Sequence, residues 1–182
     1  MPFERSFAPR ISALATGRLL AGFAGAALAA TLAVPASAQV TKIQSNPNAL
    51  ILDAVDVKAG TDTIYLSGQL AAPLDPAKPM GPSLTADDFG DTKTQTISVL
   101  NKIKTILEAR GYAMGDIIKL TLFVAADPKL GKMDFAGAND GFKTFFKTAE
   151  NPSTVARSTF QVAALVAPQY LIEIEAIAAK KK

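Results

Sequence analysis

The stretch YLIEIEAIA, residues 170–178, decides the fold because its residues alternate between apolar and acidic side chains. Ile172, Ile174 and Ala176 fall on one side of an extended chain, and Glu173 and Glu175 fall on the other. A period of two indicates a β-strand with one buried face and one polar face. We therefore predict a sheet that packs its apolar face under helices and carries carboxylates on its opposite face.

A second extended segment, RSTFQVAAL at residues 157–165, precedes this strand and begins with an arginine. If the two strands pair antiparallel, Arg157 lies near the two glutamates on the polar face. Spacing alone favours an ordinary solvated face, where such charges contribute little to stability. The alternative is a subunit interface with polar pockets.

Two further patterns indicate helices. Apolar residues recur at helical spacing over residues 92–110, and Gly111 follows as a C-terminal stop. A second helix is predicted over residues 133–148, where four phenylalanines fall close to one face. We expect this aromatic stripe to pack against the sheet, as core residues do.

The other strands are predicted from alternation and from their content of β-branched residues. Residues 49–57 and 63–70 are expected to form an antiparallel hairpin that bends at Gly60. Residues 116–125 are predicted to form a third strand. Residues 71–91 are rich in Pro, Gly and Asp, so we predict an irregular loop, which is long enough to suggest a function. The resulting order, β-β-α-β-α-β-β, predicts a single α+β domain with a mixed sheet and both helices on one face.

The N-terminus has the pattern of a cleavable secretory signal. Three arginines precede an uncharged run at residues 19–34, which is followed by small residues that end at Ala38. A retained membrane anchor is the weaker alternative, because a spanning helix needs about 20 strongly apolar residues. We expect cleavage after Ala38, a periplasmic or secreted protein, and no stable membrane association thereafter. The predicted organisation is a signal peptide at 1–38, a flexible segment at 39–48 and one domain at 49–182.

Composition excludes several functions. The chain has no His and no Cys, so it can form no disulfide, Ser-His-Asp triad, thiolate nucleophile or zinc site of nitrogen and sulfur ligands. Residues 1–38 contain three Arg and one Glu, so their removal would lower the formal net charge from +3 to +1. This balance does not indicate a nucleic-acid partner.

Several segments resemble, in order, those of the RidA family, also called the YjgF family, of reactive-intermediate imine deaminases. IYLSGQL at 64–70 resembles the family's strand with its Ser-Gly-Gln motif. ARSTFQVAAL at 156–165 and IEIEAIA at 172–178 resemble its C-terminal half. The resemblance extends over roughly residues 50–178, nearly all of the chain beyond the expected signal.

The resemblance implies a fold and a reaction. It implies a chorismate-mutase-like α+β subunit that forms a homotrimer with a central barrel and active clefts between neighbouring subunits. The implied reaction is hydrolysis of enamines and imines of 2-amino acids to the 2-keto acid and ammonia. The implied substrate is therefore a small carboxylate-bearing molecule, and neither a metal nor an organic cofactor is implied.

The resemblance also implies roles for individual residues. Arg157 matches the arginine that holds the substrate carboxylate, and a planar guanidinium suits a carboxylate geometrically. Ser67 matches a hydroxyl in the same cleft, and Gly68 would let the backbone approach the ligand. Glu173 matches the acid that positions or activates the hydrolytic water. Thr159 stands at a cleft position where some members have Cys.

The chain also departs from the family pattern. Its 71–91 loop is longer, a Tyr near the cleft has no counterpart, and the usual proline directly before Ala156 is missing. These differences lie around the cleft mouth, so the substrate stays open. A non-catalytic trimer that binds small carboxylates or partner proteins in the same clefts is the alternative. The retained Arg157 favours the enzyme, because a buried unpaired cation is costly without an anion.

Overall fold

The computed structural model describes residues 39–181. Their element order agrees with an α+β protein. The elements are β1 (Val40–Ile43), β2 (Ala54–Val57), β3 (Thr61–Leu70), α1 (Thr92–Glu108), β4 (Ile117–Val124), α2 (Phe135–Phe142), β5 (Ala156–Gln161) and β6 (Ile172–Lys181).

The main sheet has four strands in the order β3-β6-β4-β5. The central strand β6 pairs antiparallel with β3 and with β4, whereas β4 and β5 run parallel. The sheet is therefore mixed, and its two edges are β3 and β5. β1 and β2 form a separate two-stranded antiparallel ribbon. The predicted α+β class, with a mixed sheet and two helices, is confirmed.

Both helices contribute to a core on one face of this sheet. Along β4, Leu120, Leu122 and Val124 are buried, and the residues between them are only half-buried. The isoleucines at 172 and 174 in β6 are fully buried in the same core, as their alternation predicts. Each such side chain contributes about 1.5–3 kcal/mol by leaving water.

The helices cross closely. A Cβ built at Gly141 in α2 would lie 2.6 Å from the Cβ of Thr96 in α1, so only a glycine fits there. The rings of Phe142 and Phe146 stack at 4.5 Å between centroids within the core. The predicted packing of the aromatic stripe holds for these two rings, whereas Phe135 is 45% exposed.

The helix ends follow from local chemistry. Asp91 caps α1 by accepting a hydrogen bond from the Thr94 amide at 2.8 Å. Gly111 has a φ of 74°, which agrees with its predicted role after the helix. The second helix spans Phe135–Phe142 and is therefore shorter than the predicted 133–148. Lys147 adopts a left-handed φ of 57°, which a right-handed helix through this position would not allow.

Two predictions about the N-terminal strands were wrong. Residues 54–57 pair with β1 rather than with β3, which pairs with β6, so the expected hairpin is not formed. The expected flexible segment 39–48 contains β1. The Lys42 amine fixes β1 by donating to the Gly115 carbonyl at 2.9 Å, the Ser153 hydroxyl at 2.6 Å and the Thr154 carbonyl at 3.0 Å.

The predicted loop at 71–91 lacks strands and α-helices but includes one turn of 3-10 helix, Ala86–Asp88. Lys78 and Asp88 form an ion pair at 2.5 Å, which closes the loop on itself. The predicted signal peptide, residues 1–38, lies outside the described residues. Between residues 39 and 181, the helices are too short or too polar to cross a bilayer.

Candidate functional site

A β-bulge interrupts edge strand β3 at Ser67 and Gly68. Leu66 pairs with Ala176 and Gln69 pairs with Ile174, so three steps along β3 match two steps along β6. Bulges bend an edge strand and redirect its side chains, and they are frequent beside active sites. The predicted Ser-Gly-Gln motif therefore lies at the irregular point of the sheet.

The carboxylate of Glu173 lies against this bulge. A Cβ built at Gly68 would lie 2.7 Å from the carboxyl carbon of Glu173 and 2.9 Å from its Cγ. The space that a larger residue would fill is therefore taken by Glu173. The contact with Glu173 thus explains why position 68 is a glycine, whereas the resemblance implied a close approach of its backbone to a ligand.

Ser67 is exposed on the sheet face that points away from the helices. Together with Lys119, Thr121 and Glu175, it lines a cavity of about 260 Å³. The Lys119 amine donates to the Ser158 hydroxyl at 2.7 Å on the same side of the sheet. We call this side, which carries Tyr65, Phe123, Phe160, Glu173, Glu175 and Ile177, the open face.

Arg157 lies on the other side of the sheet, under α2. Its Nη2 donates to Oδ1 of Asn139 at 2.6 Å. Its guanidinium carbon is 4.7 Å from the ring centroid of Phe142 and 5.9 Å from that of Phe135. These contacts favour the cation by the order of 1 kcal/mol each and hold the guanidinium in place.

The surroundings of the Arg157 guanidinium are short of negative charge within the described part of the chain. No carboxylate of residues 39–181 forms an ion pair with it. Its Nη1 is buried without a hydrogen-bond partner, and so is Oγ1 of Thr159 two positions further along β5. Burial lowers the pKa of Arg157, but a guanidinium stays protonated at neutral pH. The helix side of β5 thus presents two polar atoms without hydrogen-bond partners, Nη1 of Arg157 and Oγ1 of Thr159.

The predicted site residues fall into two groups. Arg157 and Thr159 share the helix side of β5, because they pair with the buried Leu120 and Leu122 of β4. Ser67, Gly68 and Glu173 come together across β3 and β6.

The conditional expectation that Arg157 lies near the two glutamates was wrong within one chain. β5 pairs parallel with β4 rather than antiparallel with β6, so β4 separates the two strands.

The sequence interpretation missed Asn139 and the two aromatic contacts of Arg157. Phe135, Asn139 and Phe142 follow one another at spacings of four and three residues, which places them on one stripe of α2. A polar residue within an aromatic stripe was the available signal. The described part of the chain contains no cluster of three or more acidic residues that could hold a metal ion.

Comparisons with known proteins identify the family to which this chain is similar. The sequence model of a family described as Endoribonuclease L-PSP matches residues 52–180. A RutC family protein from Pyrococcus horikoshii is 38% identical over 125 residues, which are 69% of this chain and 84% of that protein. A protein from Escherichia coli K12 named 2-iminobutanoate/2-iminopropanoate deaminase is 36% identical over 118 residues, which are 65% of this chain and 80% of that protein.

A solved structure shares the fold. The crystal structure of the Rid family protein YyfB from Yersinia pestis, described as of unknown function, matches with a TM-score of 0.59 and 25% identity. The match covers 78% of this chain and 99% of that one. Because the family model spans residues 52–180 and the named relatives are 36–38% identical, the chain belongs to the RidA/YjgF family.

Proposed function

We propose that this protein is a hydrolytic deaminase that converts imines and enamines of 2-amino acids to 2-keto acids and ammonia. One observation supports it above the others: the half-buried Arg157 has an unpaired Nη1 beside the unpaired hydroxyl of Thr159. Both groups can donate a hydrogen bond to a carboxylate. Relatives that are about 36% identical are named imine deaminases, which favours the same reaction here.

Arg157 is the proposed anchor for the substrate carboxylate. Its Nη2 is engaged by Asn139, so Nη1 is the free donor of its terminal pair. Charge-assisted hydrogen bonds are roughly twice as strong as neutral ones. Both unpaired atoms are shielded from solvent, so a ligand that pairs with them must displace the side chains that cover them.

Glu173 is the proposed group that orients the water, and Ser67 assists proton transfer. The water adds to the carbon of the protonated imine and gives one proton to Glu173, and the iminium nitrogen becomes the amine of a carbinolamine. Glu173 returns that proton to the amine; the C–N bond then breaks and ammonia leaves, while the hydroxyl proton passes to the Glu173 carboxylate and the C=O bond of the ketone forms. An imine carbon is already electrophilic, so orientation of the water supplies much of the rate.

We also propose that each site is completed by two neighbouring copies in a homotrimer. Within one chain, Glu173 and Arg157 occupy different sides of the sheet. The open face carries Tyr65 at 75% exposure and Phe160 at 53%, which favours cover by another protein surface. The two sheet edges carry the two halves of the site, since β3 has the bulge and β5 has Arg157. A closed ring brings β3 of one copy to β5 of the next.

We propose in addition that residues 1–38 direct export and are removed after Ala38. The natural substrate is then an imine formed outside the cytosol. N-terminal sequencing of the protein from the periplasmic fraction and the medium tests this. A first residue of Gln39 is expected, and an intact N-terminus in every fraction would contradict the proposal.

The test of the reaction uses the purified protein and imines produced in place by an amino-acid oxidase. Keto-acid release above the spontaneous rate is expected, and Arg157→Ala is expected to abolish it. The matched control is Lys143→Ala, which removes an exposed cation near the end of α2 that pairs with Asp140.

A panel of imines from small, branched and aromatic amino acids separates the outcomes. No acceleration with any of them would overturn the proposed reaction. If pyruvate still bound and this binding required Arg157, the protein would instead be a non-catalytic carboxylate-binding protein.

A further inference from the structure

We infer that Gly68 is a positioning residue that holds the carboxylate of Glu173 in one place, and that the bulge in β3 makes this contact possible. We call the space above the Gly68 backbone, which the carboxylate occupies, the seat. The inference rests on the proposed function for its consequence, since the seated carboxylate is the one that orients the water. Its geometric basis is independent of that function.

The requirement for glycine at position 68 is one of space. Gly60, Gly90, Gly111 and Gly131 have positive φ values, which favour glycine for conformational reasons. Gly68 is not among these, so its backbone conformation is open to other residues. What excludes a side chain is the carboxylate of Glu173, which occupies the position of a Cβ.

The bulge accounts for the approach of these two residues. Glu173 pairs directly with Leu70, and Gly68 lies two positions before Leu70. The Glu173 side chain therefore runs diagonally across the strand pair. Diagonal neighbours on a regular ladder are about 7–8 Å apart, within reach of a long side chain. Here the extra residue of β3 bends the strand, and the glycine leaves its backbone uncovered for the carboxylate.

Contact with Gly68 limits the positions that the Glu173 carboxylate can adopt. A glutamate on an open sheet face has three rotatable bonds, and fixing them costs entropy unless contacts favour one arrangement. Contact with the Gly68 backbone restricts the carboxylate to the bulge, beside Ser67. A methyl group at position 68 would expel it from there, since carboxyl carbon and Cβ would be 2.7 Å apart.

The test is a double-mutant cycle between positions 68 and 173. Gly68→Ala is expected to lower kcat about 100-fold, because a misplaced catalytic group costs about that much. KM is expected to change little, since Arg157 is untouched. In a Glu173→Ala background the carboxylate is absent, so adding Gly68→Ala should not lower the residual rate of that variant, and the unfolding measurements below carry the comparison where no residual rate is detected. The matched control is Gly81→Ala, because a Cβ at Gly81 meets no atom within 4 Å.

The midpoint of thermal unfolding is measured for the same variants. Gly68→Ala should raise it in the Glu173→Ala background, because alanine restricts the unfolded chain, and should raise it less or lower it in the wild-type background, where the carboxylate must move. Equal changes in both backgrounds, or full activity of Gly68→Ala, would overturn the inference. A wild-type protein that accelerates no imine hydrolysis would instead overturn the proposed function, and the unfolding cycle would then decide the contact alone.

Discussion

Arg157 and Glu173 lie on opposite faces of the same four-stranded sheet. Arg157 pairs with Leu120, which is buried beneath the helices, and Glu173 pairs with Phe123 on the open face. Side chains of directly paired residues share a face, so a layer of backbone separates the two charged groups. A molecule as small as an imino acid therefore reaches both only if two copies of the chain contribute.

The geometry of the Arg157 guanidinium is tested by Arg157→Lys. Lysine keeps the charge but loses the planar pair of terminal donors, so it cannot both bind Asn139 and present a second donor in the same geometry. We expect the Kd for pyruvate to rise about 10- to 100-fold, the value of one charge-assisted hydrogen bond. Calorimetric titration measures this. An unchanged Kd would mean that charge alone holds the ligand.

Asn139→Asp is expected to stabilise the fold and to weaken substrate binding. The substitution places a carboxylate 2.6 Å from Nη2 of Arg157, so the buried cation gains an internal anion. We expect a higher midpoint of thermal unfolding and a higher KM, because the new charge repels the substrate carboxylate. Asn139→Ala is the control, which should raise KM without stabilising the fold. A lower KM in Asn139→Asp would contradict the assignment of Arg157 as anchor.

The open face is tested by Phe160→Lys, which places a charge where 53% of an aromatic residue is exposed. We expect the wild-type protein to be a trimer by light scattering and the variant to dissociate and lose deaminase activity together. Leu130→Lys is the matched control, since Leu130 is 52% exposed outside this face. Full activity of a monomeric Phe160→Lys protein would refute a site shared between subunits.

Lys42 should give the fold a pH dependence at alkaline pH. Burial, partly offset by Asp116, lowers the pKa of Lys42 below its usual 10.5. Between the lowered pKa and 10.5 the unfolded chain binds more protons, so the contribution of Lys42 to stability rises with pH in that window.

Denaturant unfolding of wild type and Lys42→Met at increasing pH measures this contribution. The difference in unfolding free energy should grow in favour of the wild type as pH approaches 10.5. Lys104→Met, which removes an exposed lysine, controls for the loss of one charge. A difference that shrinks over this range would contradict the expected sign.

What the sequence predicted well was local. Alternation along residues 172–178 reports which side chains are buried, because burial in a sheet repeats every two residues. The stop of α1 was likewise predicted, since Gly111 acts on neighbouring backbone groups, whereas the cap at Asp91 was not identified. The motif residues Ser67, Arg157 and Glu173 were identified by resemblance.

The sequence did not show which strands pair with each other. Nothing in residues 54–57 indicates that they pair with β1, which is held by contacts of Lys42 with residues 73 to 112 positions away. The position of β5 beside β4 is equally non-local, and it moves Arg157 to the helix side. The seat of Glu173 on Gly68 depends on a bulge, which alternation does not report.

The shared site is tested most directly by mixing two inactive variants. Arg157→Ala and Glu173→Gln chains are co-expressed with different tags, and assemblies that carry both tags are purified. If each site takes Arg157 from one copy and Glu173 from its neighbour, every trimer that contains both variants has one intact site, which is about one third of its sites.

Keto-acid release is measured for the mixed assemblies and for each variant alone. We predict activity near that fraction of wild type in the mixture and none in either variant. Mixed assemblies of normal size without activity would contradict the account, because both residues would then have to serve a site within one chain.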